Sequence, residues 1–160
     1  EISDAFLDRL VTTMRVTAVP AQRNPDDPAV VAGLAAFERM GCAACHVQTL
    51  ATDASAPLSE LRDQLFHAYT DLLLHDMGEG LSDGRPVGDA TGSEWRTAPL
   101  WGIGLTETVS GHTLFLHDGR ARNLLEAVLW HGGEAEAARD AVVAATPDDR
   151  AALIRFLESL

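Results

Sequence analysis

The sequence predicts an all-α domain. Apolar residues recur at helical spacing along much of the chain, helix-start signals precede several of these segments, and strand-like alternation is scarce. The 160 residues are enough for one domain with a real core, and an apolar content of 46% indicates a globular protein.

Two helices are predicted in the first quarter of the chain. Ser3 is placed to cap a helix from Asp4 to about Val16. The apolar residues that share one face of this helix are Phe6, Leu7, Leu10, Val11 and Met14. Prolines 20, 25 and 28 then mark a loop. A second helix from about Ala29 to Met40 is opened by Pro28 and closed by Gly41.

The middle of the chain carries weaker signals. Leu58 to Met77 is predicted as a helix because of its apolar content, although Tyr69-Thr70 and the Leu72-Leu73-Leu74 run would also suit extended structure. Gly78 to Gly92 contains five glycines and one proline, which indicates a loop. Proline and glycines interrupt Ser93 to His117, which predicts turns with one short helix near the tryptophans.

The last third predicts three further helices. Asn123 with Glu126 resembles a capping box, so a helix should run from Leu124 to about His131 and stop at Gly132-Gly133. A second helix covers Glu134 to Ala145. Thr146-Pro147-Asp148-Asp149 begins a terminal helix that reaches Leu160. The buried stripe of that helix is predicted to contain Leu153, Phe156, Leu157 and Leu160.

The segment Cys42-Ala43-Ala44-Cys45-His46 holds both cysteines of the chain and a histidine directly after the second. This is the C-x-x-C-H pattern of covalent c-type haem attachment. Two thiols three positions apart lie on one side of a helical turn, so they can add to the two vinyl groups of one porphyrin. The following imidazole can then bind the iron from the proximal side.

The alternatives to haem lack the residues that they require. A zinc site needs two more ligands at short spacing, and no third cysteine exists. A thioredoxin-like pair would lie beside a βαβ pattern, and a disulfide across so short a loop is rare. The sequence therefore predicts one covalent haem c held by Cys42 and Cys45, with His46 as a metal ligand.

A helix before the haem motif and an amphipathic helix at the end of the chain are the cytochrome c arrangement, in which these helices cross beside the haem. Residues 1–160 are therefore predicted to form a single cytochrome c-like domain with long haem-covering loops. Within it, 1–28 would be an N-terminal helix and linker, and 29–160 the haem-binding core.

The formal net charge is −12, and haem propionates would add to it. Nucleic acid and anionic lipid are poor partners for such a surface, whereas a basic redox partner protein or a small substrate fits better. The acidity could equally serve only solubility. No apolar run approaches the length of a membrane-spanning segment. Bacteria attach haem covalently outside the cytoplasm, so we expect a periplasmic protein whose leader has been removed.

A closer resemblance is carried by "GCAACHVQTL", by residues 69–141 and by "TPDDRAALIRFLESL". These segments resemble the C-terminal half of the di-haem oxidoreductase family, which is related to bacterial di-haem cytochrome c peroxidases and to the enzyme that matures tryptophan tryptophylquinone. The resemblance implies two cytochrome c domains with one haem each. This chain has one haem motif, so a second haem domain is an expected partner, and in the related peroxidases that other domain holds the peroxide-binding haem.

The resemblance also implies the sixth iron ligand. His131 ends the predicted helix where the related peroxidases have a ligating methionine and the quinone-maturing enzyme a tyrosine. Met77 and an open iron are alternatives, and His131 could instead be a helix-terminal histidine stabilised by the helix dipole. Two imidazoles would give a lower potential than histidine with methionine, and would leave no coordination position for peroxide.

Other residues are weaker candidates. Arg96 is the first choice to pair with a haem propionate, ahead of Arg120 and Arg122, although it could be an ordinary surface arginine. Trp101, like Trp95 and Trp130, is expected to line the haem pocket or an interface. We expect His75 and His117 to tie loops together through hydrogen bonds to backbone. Asp83, Asp89 and Glu94 lack calcium-binding spacing and predict a solvated loop.

The sequence thus predicts an electron-transfer domain, the relay module of a di-haem peroxidase-like oxidoreductase. A peroxidase active in its own right through an open or displaceable ligand is one alternative. A haem sensor or docking module without turnover is another.

Overall fold

The computed structural model describes residues 2–160. The helices are α1 (Asp4–Val16), α2 (Pro28–Arg39), α3 (Thr106–Ser110), α4 (Leu124–Leu129), α5 (Glu136–Ala144) and α6 (Pro147–Ser159). The strands are β1 (Leu50–Ala51), β2 (Leu65–Phe66), β3 (Leu74–Asp76) and β4 (Glu94–Arg96). Short 3₁₀ turns lie at Cys42–Ala44, Ser59–Leu61, Glu79–Leu81, Ile103–Leu105 and Gly133–Ala135.

The prediction of an all-α fold class is wrong. The described chain is mixed, with 46% helix, 9% strand and two small antiparallel sheets. One sheet pairs β1 with β2, and the other pairs β3 with β4, with His75 opposite Trp95. Each of these strands has only two or three residues and pairs with a strand distant in sequence, so no alternating pattern marks it. The helical periodicity of the rest of the chain therefore does not extend to these segments.

The predicted helix over Leu58–Met77 is the specific error. That segment contains a 3₁₀ turn, β2, β3 and extended backbone. Tyr69 and Leu72 adopt positive φ angles of 54° and 62°. A non-glycine residue in this left-handed region interrupts an α-helix, and neither position carries the glycine that would have signalled it.

Side-chain caps account for three helix starts. The Asp27 carboxylate accepts from Ala29 N at 2.8 Å at the start of α2. Asn123 Oδ1 accepts from Glu126 N at 2.8 Å in α4, and Thr146 Oγ1 accepts from Asp149 N at 3.1 Å in α6. Each cap satisfies a backbone N–H that has no partner inside its helix. The predicted helix from Asp4 is also present, but the Ser3 side chain does not cap it.

The core forms where α2 crosses α6. The rings of Phe37 and Phe156 pack with centroids 5.2 Å apart, and Tyr69 packs against both. Gly33 permits the close approach, because a Cβ at this position would lie 2.6 Å from Phe156 Cβ. The predicted stripe of α6 is confirmed, since Leu153, Phe156, Leu157 and Leu160 are all buried.

The segment between α1 and α2 is fastened to the end of α6. The Arg23 guanidinium donates to the carbonyl oxygens of Glu158 and Leu160, and Gln22 Nε2 donates to Ser159 Oγ at 3.0 Å. In contrast, α1 contains no buried residue, and its apolar face is exposed. Within residues 2–160, no helix has the length and apolar character needed to cross a membrane.

Candidate functional site

The C-x-x-C-H segment directly continues α2. Gly41 ends that helix with a φ of 84°, a conformation that favours glycine, and the 3₁₀ turn Cys42–Ala44 follows. The backbone N–H of His46 donates to Cys42 O at 3.0 Å, which closes the turn. The His46 ring lies 6.3 Å from that of Phe37. The helix crossing that forms the core therefore also positions the motif.

Cys42 and Cys45 are free thiols, so the alternative of a disulfide between them is not realised in this structure. Burial raises the pKa of Cys42 to about 11. The pKa of Cys45 is also raised, by burial and then by the negative charges of Asp71 and Glu134. Both shifts disfavour the thiolate form that a reactive redox cysteine pair uses.

The structure brings His46 and His131 together, although 85 residues separate them in sequence. Their ring centroids lie 6.5 Å apart, with an angle of 50° between the ring planes. His131 follows Trp130, the residue that ends α4. The short helix therefore delivers the second imidazole to the first.

Each of these imidazoles is held by a backbone carbonyl. Nδ1 of His46 donates to Tyr69 O at 2.9 Å, and Nδ1 of His131 donates to Ala127 O at 2.8 Å. A carbonyl oxygen can only accept, so the proton of the neutral ring is fixed on Nδ1 and the lone pair on Nε2. Burial is the main cause that lowers the pKa of both rings, which favours this neutral form.

This arrangement fits a metal bound between the two rings. Two metal–nitrogen bonds of about 2 Å each, with about 1 Å from each nitrogen to its ring centre, give roughly 6 Å between the centres. The observed 6.5 Å agrees with that sum. A histidine that binds a metal usually donates its other N–H to a carbonyl or carboxylate, as both rings do here.

His75 on β3 lies in a different environment. Its Nδ1 pairs with Glu134 Oε2 and its Nε2 with Asp71 Oδ2, each at 2.9 Å. These two carboxylates raise the pKa of His75, Glu134 more than Asp71. In turn, the hydrogen bonds from His75 and from the backbone of Asp76 lower the pKa of Glu134. For Asp71, burial opposes ionisation, but hydrogen bonds from Leu73 N and His75 outweigh it and lower the pKa.

A close backbone approach supports this cluster. Gly133 has a φ of 54°, and a Cβ there would lie 2.7 Å from Gly78 N. The approach brings Glu134 beside β3, where its Oε1 also accepts from Asp76 N at 3.0 Å. The donor atoms of Cys45, Asp71 and His75 all lie within 4.8 Å of one another. Three such donors are one fewer than a structural zinc site uses.

The other histidines have partners of their own. The His117 ring stacks on Trp95, with centroids 3.6 Å apart and 14° between the planes. His67 hydrogen-bonds to Thr49 Oγ1 at 2.9 Å, and His112 Nδ1 accepts from Leu114 N at 3.2 Å. The partners of His75 and His117 are therefore carboxylates and a tryptophan, whereas backbone partners were expected.

Among residues 2–160, neither Arg96 nor Trp101 forms a hydrogen bond or a ring contact with His46 or His131. Arg96 is exposed on β4 and forms no ion pair within that range. Trp101 packs against Phe66, with ring centroids 5.9 Å apart. The competing arginines are already engaged, since Arg120 pairs with Asp118 at 2.7 Å and Arg122 with Glu126 at 2.9 Å.

Sequence reasoning missed the groups that orient the imidazoles and the partners of His75. The Tyr69 and Ala127 carbonyls are backbone groups, which every residue has, so the sequence does not identify them as partners of the imidazoles. Asp71 lies in the segment that was predicted as a helix over Leu58–Met77, and Glu134 was considered only as the first residue of a predicted helix. Met77, the alternative ligand, has its carbonyl oxygen near Gly132, so its backbone runs beside the residue that follows His131.

Residues 1–160 match the family model described as "Di-haem oxidoreductase, putative peroxidase". The chain belongs to this di-haem oxidoreductase family. The sequence resemblance is thereby confirmed, and haem and oxidoreductase chemistry are properties of the family. Comparisons with curated proteins and with solved structures gave no match. The family name refers to two haems, whereas these 160 residues contain one C-x-x-C-H motif.

Proposed function

We propose that this domain carries one covalent haem c and relays single electrons within a di-haem oxidoreductase. Cys42 and Cys45 would hold the haem through thioethers, and His46 and His131 would bind its iron. The observation that supports this most strongly is the imidazole pair, with its ring spacing of 6.5 Å and both Nδ1 atoms fixed by carbonyls. Bound haem supplies one-electron redox chemistry.

The residues around the pair favour transfer over catalysis. Tyr69 and Ala127 hold the rings by their Nδ1–H groups, so each Nε2 keeps its lone pair for a metal. Two neutral nitrogen donors stabilise the ferric state more than a thioether does. A haem held by both His46 and His131 would offer peroxide no position to bind.

A partner completes the proposal. A second haem domain, in the same protein or in another subunit, provides the open site at which peroxide or another substrate reacts. The net charge of −12 suits a basic redox partner and disfavours nucleic acid. Arg96 is exposed and without an ion pair among residues 2–160, so its guanidinium remains the best candidate for a propionate. Maturation and function take place in the periplasm.

Peroxidase activity of this domain alone is the second candidate. The observation in its favour is that His131 lies beyond the end of α4 and is followed by two glycines. A ligand in such a position moves away at lower cost than one within a helix. A displaced His131 would leave one side of the iron open.

The experiment expresses the chain with a c-type maturation system. Denaturing mass spectrometry should show the polypeptide plus one haem, and the ferric visible spectrum should be low-spin. Stopped-flow mixing of the ferrous domain with peroxide should give only slow oxidation, and steady-state turnover should be negligible. Protein without covalent haem would refute the proposal. Fast, saturable oxidation with turnover would establish the second candidate instead.

A further inference from the structure

The cluster of Asp71, His75 and Glu134 has no part in the proposed relay, yet it has the features of a proton-binding site. Both ring nitrogens of His75 lie 2.9 Å from carboxylate oxygens. Neutral imidazole carries one N–H, so it can satisfy only one of these carboxylates, and its other nitrogen faces an oxygen that also only accepts. The imidazolium satisfies both. The geometry therefore favours the protonated ring.

The site is partly shielded from water, so nearby charges have a stronger effect on the proton affinity of His75. The side chain of His75 is 17% exposed and that of Asp71 is 12% exposed. Glu134 is more open, with 56% of its side chain exposed, so a proton can enter from solvent on that side. Charges in such a setting are screened less than charges at an open surface.

The cluster also lies beside the haem-binding motif. A ligand atom of His75 and a carboxylate oxygen of Asp71 lie within 4.8 Å of the sulfur of Cys45, the residue proposed to hold the porphyrin. Asp71 and His75 are close enough to His46 for their charges to influence its pKa. The ionisable groups on the elements around His75 are Asp71, Glu134, Cys45, His46, Asp76, Glu94, Arg96 and, behind Trp95, His117.

We propose that Asp71, His75 and Glu134 bind a proton whose affinity rises when the haem is reduced, so that this domain transfers a proton together with an electron. The inference rests on the proposed haem site. A one-electron donor reduces the iron and removes one positive charge from it. One proton from solvent then adds to the unprotonated ring nitrogen of His75, which faces a carboxylate oxygen. On oxidation the electron passes to the acceptor and the proton returns to solvent.

Charge balance gives the direction of the effect. The reduced site is one unit less positive, so it repels the imidazolium less. His75 must therefore release its proton at a lower pH in the oxidised protein than in the reduced protein. Between those two pH values the reduction potential falls as pH rises, with a limiting slope of about 59 mV per pH unit for one proton and one electron.

The test measures the reduction potential of the haem-loaded chain from about pH 5 to pH 9 by spectroelectrochemistry. We expect the potential of the wild type to fall with pH and that of His75→Gln to lose this fall. His112→Gln is the matched control, because His112 lies in another loop and hydrogen-bonds only to local backbone. It should behave as the wild type.

Glu134→Gln provides a second variant that keeps the imidazole. Removal of one carboxylate lowers the proton affinity of His75, so the fall in potential should move to lower pH without disappearing. A wild-type potential that is independent of pH would overturn the inference. So would an unchanged pH dependence in a His75→Gln protein that retains the low-spin spectrum. The spectrum tests the haem site, and the slope tests the proton site, so the two failures are distinguishable.

Discussion

His46 and His131 form one kind of histidine site and His75 forms another. In the first, each ring has a single carbonyl partner at Nδ1, and the two rings face each other. In the second, both nitrogens of one ring are bound to carboxylates. The pKa of the first two rings is lowered by burial, whereas carboxylates raise the pKa of the third.

The difference teaches that the hydrogen-bond partners of a histidine, more than its position in the chain, decide which chemistry its ring is suited to. A ring held neutral with one free nitrogen is suited to bind a metal. A ring held between two carboxylates has a partner at each nitrogen, so it is suited to hold a proton and not to bind a metal. Both kinds of histidine site occur within one small region. In the sequence, the Asp that follows His75 does not indicate which kind of site His75 forms.

The largest expected effect is the loss of His131, and comparison with the loss of His75 distinguishes the two histidine sites. His131→Ala removes one axial nitrogen, so the haem should become five-coordinate or water-ligated and high-spin, and its potential should rise. His75→Ala should leave the low-spin spectrum intact. Visible spectra and potentiometry of both variants check this pair. Met77→Leu is the control for the alternative ligand, and a spectral change there with none in His131→Ala would reverse the assignment.

The sequence was informative at several sites where the determinant is local. Asn123 and Thr146 each accept a hydrogen bond from a backbone N–H three residues later, and the C-x-x-C-H spacing lies within one turn. The predicted cap at Ser3 is the exception, because its side chain makes no such bond. The resemblance to the di-haem family placed His131 opposite His46, and the structure brings these two rings together.

The rest depends on contacts that are distant in sequence. β3 and β4 form only because they pair with each other, and Tyr69 bends the chain without a glycine to mark it. The meeting of His75 and Glu134 spans 59 residues and depends on the glycine that lets their segments approach. The face of α1 was recognised as apolar, yet apolar spacing alone does not say whether a face is buried.

A smaller effect concerns stability and pH. Because the pKa of His75 is raised in the folded state, its ion pairs stabilise the fold fully below its unfolded pKa of about 6.5, and this contribution is lost as pH rises through the folded pKa. The free energy of unfolding should therefore decrease as pH rises above about 6.5, by about 1 kcal/mol or less. Denaturant titrations of the haem-loaded wild type and of His75→Gln check this.

In His75→Gln the decrease should be absent or clearly smaller, while His112→Gln should match the wild type. If His75→Gln shows the full decrease, other groups must cause it. The ion pairs of His75 would then contribute nothing measurable to the stability of the fold.

The smallest expected effect tests the candidate propionate partner. Arg96→Gln removes a positive charge that favours the reduced haem, so the potential should fall slightly, and less at high salt. Arg122→Gln is the matched control, because Arg122 is already paired with Glu126 and is 79% exposed. Equal potentials in the wild type and Arg96→Gln at low salt would remove Arg96 from the haem site.

Low-temperature EPR of the ferric, haem-loaded chain tests the central claim most directly. The proposal that His46 and His131 bind one iron predicts a low-spin signal typical of two imidazole ligands, and its replacement by a high-spin signal in His131→Ala. A high-spin signal in the wild type would contradict the account, because it would show an iron with an open or weakly held axial position.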